Sequence, residues 1–308
     1  MSVVVVGSLN RDVVTRVAHV PGPGETVLAT DLVRTAGGKG GNQAVAAKRA
    51  GGARVAFIGA IGADADGRVL RDALAADDID VSGIEVVDAP TGTALISVAD
   101  DGENAIVVAP GANAQRTALT EHQRTLVADA RVLVTQLEIP AALVLDAASA
   151  RGSAIHVLNA APSQPVADGG AELLATVDVL IVNEHEMRDL SGRTDIEAGV
   201  DDLLGRVPVI VVTLGSAGCL VATPEGRRRV AAFPVDAVDT TGAGDTFCGV
   251  FAARLAAGGT AVPHLDLLVD AARAGAAAAS LSVQRPGAQD SVPTAREVDV
   301  LLEAGGRR

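Results

Sequence analysis

DTTGAGDTFCGVFAARLA, residues 239–256, is a glycine turn that runs directly into a small-residue amphipathic segment, with an acid at the junction. Gly242 and Gly244 allow successive backbone N–H groups to converge without interference from a Cβ, and the first amides of a helix have no partner inside it. Such a helix N-terminus holds anions, and phosphate is its natural guest. Asp245 would repel that guest, so its position needs a reason. Accepting the proton of an attacking hydroxyl is one. Complementing the helix dipole, worth about 0.3–1 kcal/mol, is the other. These residues alone leave both open.

Upstream, apolar runs alternate with helix-length intervals: RVLVTQLE (131–138), AIHVLNAAP (154–162), VDVLIVNEHE (177–186) and PVIVVTLGSAG (208–218). That is the rhythm of βαβ units and predicts an α/β fold with a doubly wound, mostly parallel sheet flanked by helices. Val3–Val6 reads as its first strand and RVAFIGAIG (54–62) as a buried one, with a short helix over 67–77. GGKGGNQAVAAKRAGG (37–52) is a glycine turn, an Ala-rich helix and a Gly-Gly stop. Gly40 follows Lys39 where a Walker loop needs Ser or Thr, and no GxGxxG follows the first strand, so neither mononucleotide nor dinucleotide fingerprint is supported. Further on, a helix over about 264–282, the loop QRPGAQDSVP (284–293) and a last helix close the chain.

Three stretches are β-rich without helical periodicity. VVTRVAHV (13–20) and ETVLATDLV (25–33) flank the breaker PGPG, TALISVADDGENAIVV (93–108) carries a hairpin signal at Asp-Asp-Gly, and LVATPEGRRRVAAFPV (220–235) reads as a second hairpin.

At 308 residues the chain suffices for one large α/β domain. Its 48% hydrophobic content excludes a disordered protein, and a net charge of −13 argues against nucleic acid or an anionic membrane as partner. Val3–Val6 is too short for a membrane span or signal-peptide core, and Cys219 and Cys248 form no CxxC pair, so a cytoplasmic location is expected. Of 25 basic residues only Lys39 and Lys48 are lysines, which singles out Lys39 as a place where a compact ammonium resists replacement by guanidinium. With no Trp or Tyr and four Phe, any sugar must be held by polar side chains and aliphatic contacts.

Polar groups gather at predicted strand ends, where a doubly wound sheet presents ligands. Asn10 and Asp12 follow the first strand, Lys39 and Asn42 open a helix, Glu138 ends QLE, and Asn183 and Glu186 lie in LIVNEHE. Simpler roles compete. Asn183 and Glu186 have the spacing of a helix cap and its reciprocal partner, Asn42 could cap its helix, and Asp12 could shape a turn. Glu138, an acid closing an apolar strand, demands a partner. The five histidines show no metal spacing, and no GxSxG elbow supports a hydrolase.

GGKGGNQAVAAKRAGG and DTTGAGDTFCGVFAARLA resemble the two signature segments of the PfkB carbohydrate kinases, and the likeness runs from VVVVGSLNRD to GAQDSVP. The resemblance implies ATP-dependent phosphorylation of D-ribose at its 5-hydroxyl, with Asp245 as the base and the turn Gly242-Ala243-Gly244 facing the transferred phosphoryl group. It implies a sugar site of Asn10, Asp12, Gly38, Lys39, Asn42 and Glu138, nucleotide contacts at Asn183, Thr213 and Gly215, and Glu186 placing Mg²⁺ through water. It further implies a K⁺ site between Asp239 and Thr241 on one side and Ser282, Arg285, Gly287 and Ser291 on the other, built mostly from backbone carbonyls. The β-rich segments 13–35 and 93–108 would form a small β-sheet lid on a single domain, 1–308, and join two copies as a homodimer. The alternatives are a family kinase for a nucleoside, deoxyribose or ketose, and a catalytically silent sugar-binding regulator; Asn10 and Glu138 favour free ribose, and the intact GAGD argues against the regulator. Gly41 stands where the family commonly has alanine, and the residues near 276 that would meet adenine are alanines.

Overall fold

The structure, a computed structural model, describes residues 2–164, 170–259 and 264–305. In chain order the first half comprises β1 (Val3–Val6), β2 (Asn10–Val17), β3 (Asp31–Gly37), α1 (Lys39–Arg49), β4 (Val55–Gly62), α2 (Ala65–Ala76), β5 (Asp80–Val87), β6 (Gly92–Ala99), β7 (Asn104–Ala109), α3 (Glu121–Ala128) and β8 (Val132–Thr135). There follow α4 (Ala141–Ala150), β9 (Ile155–Asn159), α5 (Ala171–Leu174), β10 (Val179–Asn183), α6 (Glu184–Ser191), α7 (Ile196–Leu204), β11 (Val209–Thr213), β12 (Cys219–Thr223), β13 (Gly226–Val230), α8 (Ala243–Gly258), α9 (Leu265–Ser282) and α10 (Ala295–Gly305).

The main sheet has nine strands in the order β13-β12-β11-β10-β9-β8-β1-β4-β5. Seven are parallel, and β12 and β13 close one edge as an antiparallel hairpin. Its inner strands are apolar at nearly every position because both faces are covered, whereas the edge strands β5 and β13 carry charged, half-exposed residues. Val3 and Val5 pack under α1, α8 and α9, while Val4 and Val6 pack toward α3 to α7. The strand order reverses beside β1, with β4 on one side and β8 on the other, and such a switch point leaves a crevice beyond the strand ends.

A second sheet, β3-β2-β6-β7, stands apart from the first and draws on both β-rich segments expected to pair. Its outer strand β7 is exposed along all six residues, with Ile106 56% and Val107 64% accessible. The strands reach further toward the main sheet than 13–35 and 93–108 suggested, starting at Asn10 and ending at Gly37, because the ladder needs Asn10 paired with Gly37 and Gly92.

Several expectations need correction. Glu25–Ala29 carries no strand: the ladder from Asn10–Gly37 ends at Arg16–Asp31, and residues 18–30 arch between. QLE lies beyond β8, and AAFPV beyond β13. β5 was not foreseen, since as an edge strand it alternates half-exposed and charged residues without a clean apolar run. The helix expected after β9 falls partly on residues 165–169, outside the described residues; of that interval α5 is seen. Among the described residues no helix is long and apolar enough to cross a membrane.

Candidate active site

Asp245 lies in the first turn of α8 and is buried. α1 crosses α8 so closely that a Cβ on Gly249 would lie 2.3 Å from the carbonyl oxygen of Gln43. That contact sets two consecutive α1 side chains against the acid. Asn42 Nδ2 donates to Asp245 Oδ2 and Gln43 Nε2 donates to Asp245 Oδ1, each at 2.9 Å. Both carboxylate oxygens are therefore engaged by another helix. Asn42 is no cap: α1 begins after Gly38, which provides no side-chain cap, and Asn42 sits one turn inside. Its own oxygen accepts from Gln289 Nε2 at 3.2 Å. A Cβ on Gly41 would lie 2.8 Å from Leu9 Cδ2 and 3.1 Å from Gln289 Nε2, so the glycine is matched to its neighbours.

Asn10 and Asp12 open β2 and are both buried. Room for them comes from cross-strand glycines, since a Cβ on Gly37 would strike the Asp12 carboxyl and one on Gly92 would strike Asn10 Oδ1 and Asn113 Nδ2. Gly38, at φ 87°, lets the chain turn from β3 into α1 against the backbone of Leu9 and Asn10. Glu138 has the partners its position demanded: Ser8 Oγ donates to its Oε2 at 2.5 Å and the Lys39 amide donates to the same atom at 3.1 Å. Burial, reinforced by the charges of Glu138 and Asp245 and opposed by Arg11, pushes the Asp12 carboxyl up to about 7. The charge of Asp245 holds Lys39 above its ordinary value despite burial, with Glu138 and Glu186 adding to it. Four acids thus share one crevice with one ammonium, which keeps the ammonium charged.

Across the crevice, Gly242 caps α8 in the left-handed region at φ 73°. The first helical bond runs from the Thr246 amide to the Gly242 carbonyl, so the Gly244 and Asp245 amides precede it. A Cβ at Gly244 would meet nothing within 4 Å, so protein packing does not demand a glycine there and the backbone is open to close approach from outside. Asn183 and Thr213 are register partners at the ends of β10 and β11, and Gly215, at φ 54°, opens the turn just beyond. Asn183 and Glu186 do form the reciprocal cap: Asn183 Oδ1 accepts from the Glu186 amide and Glu186 Oε2 from the Asn183 amide, both at 2.8 Å. The cap uses one oxygen of each side chain and leaves Asn183 Nδ2 and Glu186 Oε1 for other work. Burial raises the Glu186 carboxyl, against the hydrogen bond from Asn183 and the charge of Lys39.

Asp239 ties two loops together, accepting from the Thr241 amide at 2.9 Å and from the Gly287 amide at 2.8 Å. Burial works against its charge, yet these bonds hold its carboxyl below the usual range. Ser282 and Ser291 are buried with their hydroxyls bonded to the carbonyls of Ala279 and Ala288, and the Arg285 guanidinium is paired with Glu297 at 2.5 Å. Any contribution of these three to a cation comes from backbone oxygen. Among the described residues no three His, Cys, Asp or Glu side chains cluster as a metal site.

Sequence reasoning missed Gln43, Gln136, Asn159, Gln289 and Asn113, all buried and all contacting a predicted site residue directly or through one neighbour. Gln43 stands beside Asn42 in the glycine motif, a signal that a polar helix residue among alanines could have supplied. Asn113 has no local signal, because it lies 103 residues from its partner Asn10.

A phosphate-ready helix start, an acid gripped beside it and a polar crevice at the sheet's switch point describe a phosphoryl-transfer enzyme acting on a hydroxyl. The chain belongs to the pfkB family of carbohydrate kinases, whose model matches residues 1–295. It is 38% identical to the ribokinase of Haemophilus influenzae over 97% of both chains. It superposes on the Thermotoga maritima ribokinase with a TM-score of 0.88 at 34% identity, covering 98% of this chain and 99% of that one. The Arabidopsis thaliana ribokinase complexed with ribose and ATP gives 0.86 at 31% identity, covering 98% of both.

Proposed function

We propose that this carbohydrate kinase transfers the γ-phosphoryl group of ATP to the 5-hydroxyl of D-ribose, giving D-ribose 5-phosphate and ADP. The observation that carries the reading is the buried Asp245, held by two side-chain amides next to the open backbone of Gly244. A sugar hydroxyl is a poor nucleophile near neutral pH, and a base that accepts its proton during attack contributes about 10²–10⁴ in rate. As the bond to the γ-phosphorus forms, that to the β,γ-bridging oxygen breaks, and charge collects on the oxygens facing the amides of Gly242 to Asp245. Asn10, Asp12, Gly38, Lys39, Asn42 and Glu138 hold the sugar. Asn183, Thr213 and Gly215 receive the nucleotide. Glu186 would place Mg²⁺ through water, and the ion would supply charge neutralisation to the nucleotide's phosphate oxygens. A monovalent cation between the Asp239 and Gly287 loops would stiffen the turn that carries Asp245.

The second sheet acts as a lid on a single domain, closing over the sugar to keep out water, whose attack would waste ATP. Its uncovered apolar strands support a homodimer joined lid to lid, and the free, buried Cys219 and Cys248 suit a reducing, cytoplasmic setting.

The test is a phosphorylation panel with ATP against ribose, 2-deoxyribose, fructose, adenosine, uridine and pseudouridine. Ribose should lead in kcat/KM, and clearly over 2-deoxyribose, because a site built to pair a hydroxyl discriminates against its absence. Equal efficiency, or preference for a nucleoside, would assign the protein to another specificity within the family.

A further inference from the structure

A chain of buried amides runs from the floor of the crevice to Asp245. Gln43 is fully buried, and its Nε2 donates both to Asp245 Oδ1 at 2.9 Å and to Asn159 Oδ1 at 3.1 Å. Asn159 must present its oxygen there, because its Nδ2 donates to the carbonyl of Ile181. An ionised carboxylate accepts only. Gln43 therefore faces two acceptors with its NH₂, and its Oε1 must point the other way. Gln136, also fully buried, meets that oxygen by donating from Nε2 at 2.9 Å. The donation leaves Gln136 Oε1 buried without a partner among the described residues, crowded against Gly7, where a Cβ would lie 2.1 Å away.

An orphaned buried acceptor is a cost that folding alone does not explain, since an apolar side chain of similar shape would avoid it. It is explained if the orientation of the relay matters. Flipping Gln136 to satisfy its oxygen would set two oxygens face to face, and flipping Gln43 in response would turn an oxygen on Asp245.

We infer that Gln43 is a positioning residue for Asp245, holding the carboxylate in its attacking orientation, with Gln136 locking the Gln43 amide. The inference rests on Asp245 being the base. Lys39, Asp12, Glu186 and Cys248 also face Asp245 and set its electrostatic surroundings, but each does so by charge or burial and none is altered by exchanging a neutral amide. Asn42 grips the other oxygen and is retained.

The experiment compares Gln43→Leu, Gln136→Leu and Asp245→Asn, each alone and each glutamine variant combined with Asp245→Asn, following kcat and the KM values for ribose and ATP together with thermal stability. Loss of the Gln43 donor should lower kcat about tenfold and leave KM for ribose and for ATP unchanged, because a misdirected base slows the chemical step without loosening either substrate. Gln136→Leu removes one orphaned oxygen but leaves Gln43 Oε1 without its donor, so it should change stability little while still lowering kcat, a combination that a purely structural role would not produce. Neither change should reduce further the residual rate of Asp245→Asn, as expected for groups acting through one another. An unchanged kcat in Gln43→Leu, or a fall in kcat accompanied by an equal rise in both KM values, with Asp245→Asn inactive, overturns the positioning role and leaves the base in place. Near-normal turnover in Asp245→Asn removes the base assignment and the inference with it. Should Gln43→Leu fold poorly, Gln136→Leu decides: unchanged kcat overturns the relay.

Discussion

Asn113 Nδ2 donates to Asn10 Oδ1 at 2.9 Å while the rest of its amide clasps both backbone groups of Leu9. The bond fixes the Asn10 amide so that its NH₂ turns away from Asn113 and is available to the crevice. Asn113→Ala should raise KM for ribose about tenfold and leave KM for ATP unchanged, as the freed Asn10 amide loses its fixed orientation. Leaving the Leu9 groups unpaired should also destabilise the fold by about 1–3 kcal/mol. Steady-state kinetics with each substrate varied in turn checks the first claim, and equal rises in both KM values would refute it.

Asp12 supplies a pH dependence. Its folded value of about 7 lies above its ordinary 3.8, so between these the folded protein holds a proton that the unfolded chain has lost. The stability this contributes is complete below 3.8 and is lost as pH rises through about 7. Sugar binding should run the other way, since an ionised Asp12 accepts hydroxyl donors: kcat/KM for ribose should rise through about pH 7. Asp12→Asn should flatten both trends. A kcat/KM profile unchanged by that substitution would show that another group governs it.

The exposed second sheet makes a claim about assembly. On the face that carries Asp12, the residues further out are Val14, Val33, Ile96, Ile106 and Val108, and β7 is bare of cover. Four short strands with an apolar face need a partner. The protein should be a dimer by light scattering at micromolar concentration, and Ile106→Glu with Val108→Glu should make it monomeric and less active. A fully active monomer would dispose of the lid-to-lid dimer.

The bridge from Asp239 to Gly287 sits behind the turn that starts α8, so a monovalent cation held there would preorganise that turn without touching substrate. Initial rates in Tris or tetramethylammonium buffer, titrated with KCl, NaCl and choline chloride at matched ionic strength, should respond to potassium most and choline least. Identical responses would mean that ionic strength alone acts.

Much of this molecule is local in origin. The turn at Gly242 and the helix after it, the alternation of apolar strands with helices, the Asp-Asp-Gly hairpin and the cap between Asn183 and Glu186 depend on residues within a few positions of one another, and each was readable in the chain. Glycine at 242 declares a positive φ in a way that neighbours confirm. β5 was less legible because a half-exposed edge strand blurs its period. What lay beyond the sequence is the meeting of elements. Gln43 and Asp245 are 202 residues apart and Asn113 and Leu9 are 104 apart, with no periodicity linking them. Gln43 meets Asp245 because Gly249 lets two helices close to contact, and Asn113 meets the Leu9 backbone because the turn after β7 packs against β4 and β6. Local chemistry determined which residues could accept a proton or hold a phosphate; the packing of distant helices decided which carboxylate is held to do it, since hydrogen-bond geometry exists only after both partners are in place.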